Sequence, residues 1–216
     1  MKNSIHHHPS DEMLFSYSAG TLPEAFNLMI ASHLSLCDHC RATVESFDAV
    51  GGAVIDAAST PTAVLSDGAL SSVLDRLDTP APSAPPRRSA GVLPSPLQDY
   101  VGGDLEAVSW RPVGMGVRQA LLPTSAAASA RLLYIPAGAA MPDHGHHGME
   151  MTMVLQGAFV DENDYFARGD VEIADPSVEH TPIADVGADC ICLAVTDARL
   201  RFKGLVPRLL QPFFRI

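Results

Sequence analysis

The chain has 216 residues, 47% of them hydrophobic and 18% charged, a balance that excludes an intrinsically disordered chain. Its 25 acidic residues outnumber 14 basic ones, for a formal charge of −11. That argues against binding to a phosphate backbone or through a polybasic membrane patch, and no apolar run approaches the roughly 20 residues needed to span a bilayer.

The opening MKNSIHHHPSDEM lacks the apolar stretch of a signal peptide, so the expected location is cytoplasmic. The four cysteines agree: they stand as C-x-x-C and C-x-C, not as a secreted disulfide framework. The first block predicts helices. Ser10 can cap one running to about Ala19, with Gly20 past its end. Thr21-Leu-Pro-Glu24 is a capping box for a second, running to about Leu36 and burying Phe26, Met29, Ile30 and Leu34. A third begins near Asp38 and carries Val44, Phe47 and Val50, with Gly51-Gly52 expected to weaken it. After Thr60, Pro61 and Thr62, a fourth starts at Ser66 with Leu70, Val73, Leu74 and Leu77 in one stripe.

Within this block His33-x3-Cys37-x2-Cys40 carries metal-ligand spacing. His33 and Cys37 share a helix face at i, i+4, and the two thiols can meet at a helix start. Zinc takes four such ligands in a tetrahedron, so a fourth is expected from His6-His7-His8. His39, between the two cysteines, points elsewhere.

Residues 79–97 hold six prolines, which predict a semi-rigid linker without regular helix or strand. They divide the chain into a helical block, 1–78, and a second block, 98–216. The second reads as β, with strands at Arg131–Ile135, Glu150–Gln156, Ala158–Asp161, Asp170–Ala174 and Cys190–Thr196, the pattern of a sandwich or barrel. The fold class is thus multi-domain α + β. Cys190 and Cys192 point to one side of their strand with vectors poorly aimed for a disulfide; core packing is the favoured reading and a redox-sensing pair the alternative. Asp143 and Asp161-Glu162 read as solvated turn carboxylates, and the apolar tail 204–216 as a cover for the barrel surface.

Residues 138–157 fit G-x5-H-x-H-x3-E-x6-G without a gap, which resembles the first cupin motif. His144, His146 and Glu150 have the same parity, so an extended chain sends them to one side and Met151, Met153 and Leu155 to the other. Three imidazoles and a carboxylate with vacant positions suit zinc, iron or manganese. The second motif is looser. Gly169-Asp170 begins it, and the resemblance implies His180 as the remaining ligand, although the usual Pro and Gly are displaced and Ala184 replaces the trailing Asn. His147 faces away from the triad.

The whole chain resembles the zinc-binding anti-sigma proteins of ChrR type, through His8, His33-x3-Cys37-x2-Cys40 and the flanking SYSAGTLPEAF and SHLSLCDHCRA, followed by linker and cupin in that order. The resemblance implies His8 as the fourth helical ligand, placed just before Ser10-Asp11, with His7 as its rival. It further implies a zinc-stapled helical domain that inhibits a group IV, extracytoplasmic-function sigma factor, and a metal-binding cupin that senses singlet oxygen or a related oxidant and leads to sigma release. Two zinc sites are expected, and neither catalysis, direct nucleic-acid contact nor a membrane partner. Met141, Met149, Met151 and Met153 are candidate oxidant targets near the motif. The alternative is a metal-dependent cupin enzyme of dioxygenase or isomerase type with a zinc-stabilised regulatory module.

Overall fold

The computed structural model describes residues 4–58, 65–77, 90–162, 164–202 and 204. The helices are α1 (Asp11–Ser18), α2 (Glu24–Leu34), α3 (Asp38–Ala57), α4 (Ala69–Leu77) and α5 (Ser95–Val101). Ser10 caps α1 as expected, its Oγ accepting from Met13 N at 3.3 Å. The capping box at Thr21 does not form. Thr21 Oγ1 donates to Ser16 O, Pro23 is the N-cap residue, and the Glu24 carboxylate is engaged elsewhere, by the Tyr100 hydroxyl and Ser125 N. Helix α2 ends two residues before Leu36, because Cys37 must adopt the extended conformation of the N-cap of α3. Helix α3 runs through Gly51-Gly52, which lie on an exposed stretch where glycine lowers helix stability without interrupting the hydrogen bonds. Val50 on it is exposed, not buried.

Two features correct the linker reading. Residues 78–89 lie outside the described residues, but α5 begins inside the proline-rich stretch. Pro94 is its N-cap and Pro96 falls in its first turn, where a missing N–H breaks no helical bond. Asp104 accepts from Val92 N and Leu93 N, and Gln98 donates to Leu93 O, so the end of the stretch is tied down.

The β half holds β1 (Arg111–Gly114), β2 (Val117–Leu122), β3 (Ser129–Ile135), β4 (His144–His146), β5 (Glu150–Gln156), β6 (Ala158–Val160), β7 (Tyr165–Ala167), β8 (Val171–Ala174), β9 (Glu179–His180), β10 (Ile183–Ala184), β11 (Cys190–Thr196) and β12 (Leu200–Phe202). A six-stranded antiparallel sheet has the order β1-β2-β3-β11-β5-β8, and two three-stranded sheets, β10-β6-β7 and β12-β4-β9, complete the barrel. The five strands read from sequence are present, two of them with the expected bounds. Gly157, the last residue of the first motif, turns between β5 and β6 at φ +70°, where a Cβ would stand 2.6 Å from Asp189 O.

The alternation of β5 decides the packing. Met151, Met153 and Leu155 share the outer face of the large sheet with Leu132, Leu193 and Val195, and α2 covers that face with Phe26, Met29 and Ile30. Helix α2 is therefore buried nearly all round, between α1 and α3 on one side and the sheet on the other. Each of these side chains contributes about 2 kcal/mol by leaving water, as an upper estimate. The inner face, with Val154, Phe159, Phe166 and Cys192, forms a second core.

Candidate metal centres

The first cluster forms where α2, α3 and the segment before α1 meet. His33 is fully buried on the last turn of α2, Cys37 is the N-cap of α3, and Cys40 lies in its first turn. His8 Nδ1 is 3.5 Å from Cys37 Sγ and 3.3 Å from Cys40 Sγ; His33 Nε2 is 3.3 Å from Cys40 Sγ. The four donor atoms all lie within 4.8 Å of one another. Two nitrogens and two sulfurs around one tetrahedral ion, with bonds of about 2.0–2.3 Å, stand about 3.5 Å apart, so the donors fit a metal ion.

Protonation points the same way. The His33 Nδ1–H donates to the carbonyl of Gly169 at 2.9 Å, which leaves Nε2 with its lone pair toward the thiols. Burial pushes His33 down to about 4 despite that bond, keeping it neutral. Burial, then the neighbouring Cys37, pushes the Cys40 thiol up to about 12. Ionising both thiols in this buried site would take a compensating cation. Of the two candidates for the last donor, His8 joins the cluster, whereas the His7 ring sits 2.9 Å from Asp164 Oδ2 and packs against Phe166. His39 is exposed, edge-on to His8.

The second cluster lies inside the barrel. Strand β4 carries His144 and His146, β9 carries His180, and pairing sets His144 opposite His180. All three are buried, with ligand atoms within 4.8 Å of one another; that group does not include Glu150. Glu150 Oε2 lies 3.2 Å from His146 Nδ1, yet that oxygen and both ring nitrogens of His146 make no well-formed hydrogen bond. His144 donates from Nδ1 to Pro142 O, and His180 Nδ1 sits 2.7 Å from Glu172 Oε1. With Glu172 ionised, the remaining Nε2 atoms face each other at 3.1 Å. A shared cation would take the place of the proton that otherwise bridges His180 and His144, and would also satisfy the orphaned His146 and Glu150 atoms. Burial works against the Glu150 carboxylate, but His146, His144 and Arg131 hold it below the usual range.

Sequence reasoning missed the support of His180. The Asp161 side chain, expected in solvent, is fully buried, with Oδ2 at 3.4 Å from His180 Nδ1. Turn carboxylates are usually exposed, but this one folds back against His180. Glu172 was not singled out; the signal for it is an acid on the apolar strand Val171–Ala174. Burial, partly offset by His180, raises Glu172, and despite burial the contacts with Glu172, Glu150 and Asp161 raise His180. A cavity of about 70 Å³ with an apolar wall opens beside the cluster, bordered by Met141, Phe159, Leu200 and Phe202. Cys190 and Cys192 are buried free thiols with sulfurs 3.4 Å apart, consistent with packing. Met151 and Met153 lie on the opposite face of the sheet, under α2.

A thiol-bearing helical unit docked on a barrel with a three-histidine pocket defines a two-domain cupin protein. Residues 98–198 match the family described as the ChrR cupin-like domain. The chain is 58% identical over 214 residues to the anti-sigma-E factor ChrR of Cereibacter sphaeroides, covering 99% of this chain and 100% of that protein. The crystal structure of Rhodobacter sphaeroides SigE in complex with the anti-sigma ChrR superposes with a TM-score of 0.79 at 56% identity, covering 90% of this chain and all of that one. The chain belongs to the ChrR family of anti-sigma factors. Among the described residues no helix is long and apolar enough to cross a membrane.

Proposed function

We propose that this chain is a cytoplasmic anti-sigma factor that holds an extracytoplasmic-function sigma factor inactive and releases it on an oxidative signal. The observation that carries this reading is the 58% identity across nearly the whole chain to an anti-sigma factor, helical cluster and barrel included. It favours a regulator over the enzyme that a cupin pocket alone would allow. We read 1–78 as the sigma-binding unit, 79–97 as the connecting stretch with α5 beginning at its end, and 98–216 as the sensor.

His8, His33, Cys37 and Cys40 are read as ligands of a structural zinc, which would staple α2 and α3 to the amino-terminal segment. His144, His146, Glu150 and His180 are read as ligands of a second metal, also assigned as zinc. Zinc has no redox chemistry, so an oxidant would act on side chains around it. Helix α4 buries no residue: Leu70 is 71% exposed, Val73 56%, Leu74 51% and Leu77 75%. This stripe suits an amphipathic helix that enters a groove on the sigma factor.

The test is reconstitution. The full chain, purified without chelator, should contain two equivalents of zinc and block transcription by an extracytoplasmic-function sigma factor encoded in the same genome. Failure to bind or inhibit any such sigma factor overturns the reading.

A further inference from the structure

We propose that the barrel turn Gly169-Asp170-Val171 is part of the amino-terminal metal centre, with Asp170 as a positioning residue, so that the contacts of this turn, and not docking of the barrel in general, set how tightly that centre holds its ion. The inference rests on the metal reading of His8, His33, Cys37 and Cys40 above.

Two of the four donors are held from the barrel side. His33 can offer Nε2 to a metal only while its proton is kept on Nδ1, and the acceptor for that proton is the Gly169 carbonyl, 136 residues away in sequence. Gly169 presents that carbonyl at φ +93° with Ile5 packed against its Cα; a Cβ there would stand 2.6 Å from Ile5 Cδ1.

The second donor, His8, follows a short extended segment that has no helix of its own. Asp170 anchors it. This carboxylate is 2% exposed and accepts three backbone N–H groups: His6 N at 2.6 Å and His7 N at 2.9 Å on Oδ1, and Ala167 N at 2.8 Å on Oδ2. Val171 N adds a bond to His7 O at 3.1 Å. Together these bonds order residues 5–7 before His8 turns toward the thiols, which removes a conformational entropy cost from metal binding. Glu172, the next residue on β8, supports His180, so one strand end carries supports of both centres.

The consequence is measurable on the full chain with cobalt in place of zinc. A sulfur-to-cobalt charge-transfer band reports the amino-terminal centre alone, because the barrel cluster has no thiol ligand, and chelator competition gives its affinity. In Asp170→Asn an NH2 group must face at least one of the three N–H donors. Cobalt affinity at the thiol centre should fall about 10-fold or more, with faster release and unchanged far-ultraviolet circular dichroism. Ile5→Ala, which frees the segment without touching a barrel hydrogen bond, should give a smaller loss in the same direction. Glu24→Gln, which loosens the dock at a different point, should leave the affinity within about two-fold of wild type, well short of the effect expected for an outer-shell partner. Wild-type affinity in folded Asp170→Asn, or in Ile5→Ala if the first variant fails to fold, overturns the proposal. So does an equal loss in Glu24→Gln, which would assign the effect to docking in general. A wild-type chain with no charge-transfer band overturns the metal reading itself and this inference with it.

Discussion

The Glu24 carboxylate at the first turn of α2 accepts the Tyr100 hydroxyl of α5 at 2.7 Å, and its other oxygen accepts Ser125 N at 2.7 Å. One side chain thus joins the helical unit to both α5 and the barrel. The bond from Tyr100, then that from Ser125, holds Glu24 below its ordinary value of 4.5. A carboxylate depressed on folding contributes stability that is present above its unfolded pKa and lost as pH falls through the lower folded value. The dock should therefore loosen below about pH 4.5. The hydrogen-exchange protection of Ser125 N, which donates to the Glu24 carboxylate, should fall over that range in wild type. Glu24→Gln should already show the lower protection at neutral pH.

On the two-metal reading proposed above, removing the thiols should cost one of two equivalents. Cys37→Ser with Cys40→Ser is expected to lose one equivalent by elemental analysis, and His144→Ala with His146→Ala the other. Metal loading of the amino-terminal centre at pH 7 should release protons, because the Cys40 thiol is held protonated in the metal-free site. A pH-stat titration reads this directly, and loading without proton release counts against thiolate ligation.

Glu172→Gln tests the support of His180. Outer-shell partners of metal-bound histidines typically contribute about 10–100-fold to affinity. The variant should weaken the barrel metal by an amount in that range while the thiol centre keeps its own; chelator competition on the two centres separates them.

The exposed stripe of α4 predicts a surface effect without a folding effect. Leu70→Asp with Leu74→Asp should change chain stability by no more than about 0.5 kcal/mol, since neither side chain is buried, yet weaken sigma binding at least tenfold. Charge reversal at Asp67 and Asp75 should slow association and flatten its salt dependence, measured by stopped flow. An unchanged rate would show that these two acidic residues do not steer the encounter with the sigma factor.

Met29 is fully buried where α2 meets the sheet. Met29→Ala should destabilise the chain by about 2–5 kcal/mol in denaturant unfolding, with a larger effect than any single change on α4.

Much of this was legible along the chain because it is local. The spacing of His33, Cys37 and Cys40 is legible as a ligand pattern, but the helix breaks after Leu34, so His33 and Cys37 meet across the α2–α3 turn and not on one helix face. Likewise His144 and His146 share β4, whereas Glu150 follows a bend and stands on β5. Strand β5 and strand β11 followed from apolar runs between turn signals. Tertiary structure decided what local pattern leaves degenerate. It took Glu24 from a capping box to Tyr100, drew Asp161 from an expected solvated turn to His180, and gave His8 rather than His7 to the thiols. It also set Gly169 against His33. The choices at Glu24, His8 and Gly169 depend on which face of the sheet α2 covers, and that is fixed by burial of two apolar surfaces far apart in sequence, which periodicity cannot pair; the one at Asp161 depends on strand pairing inside the barrel.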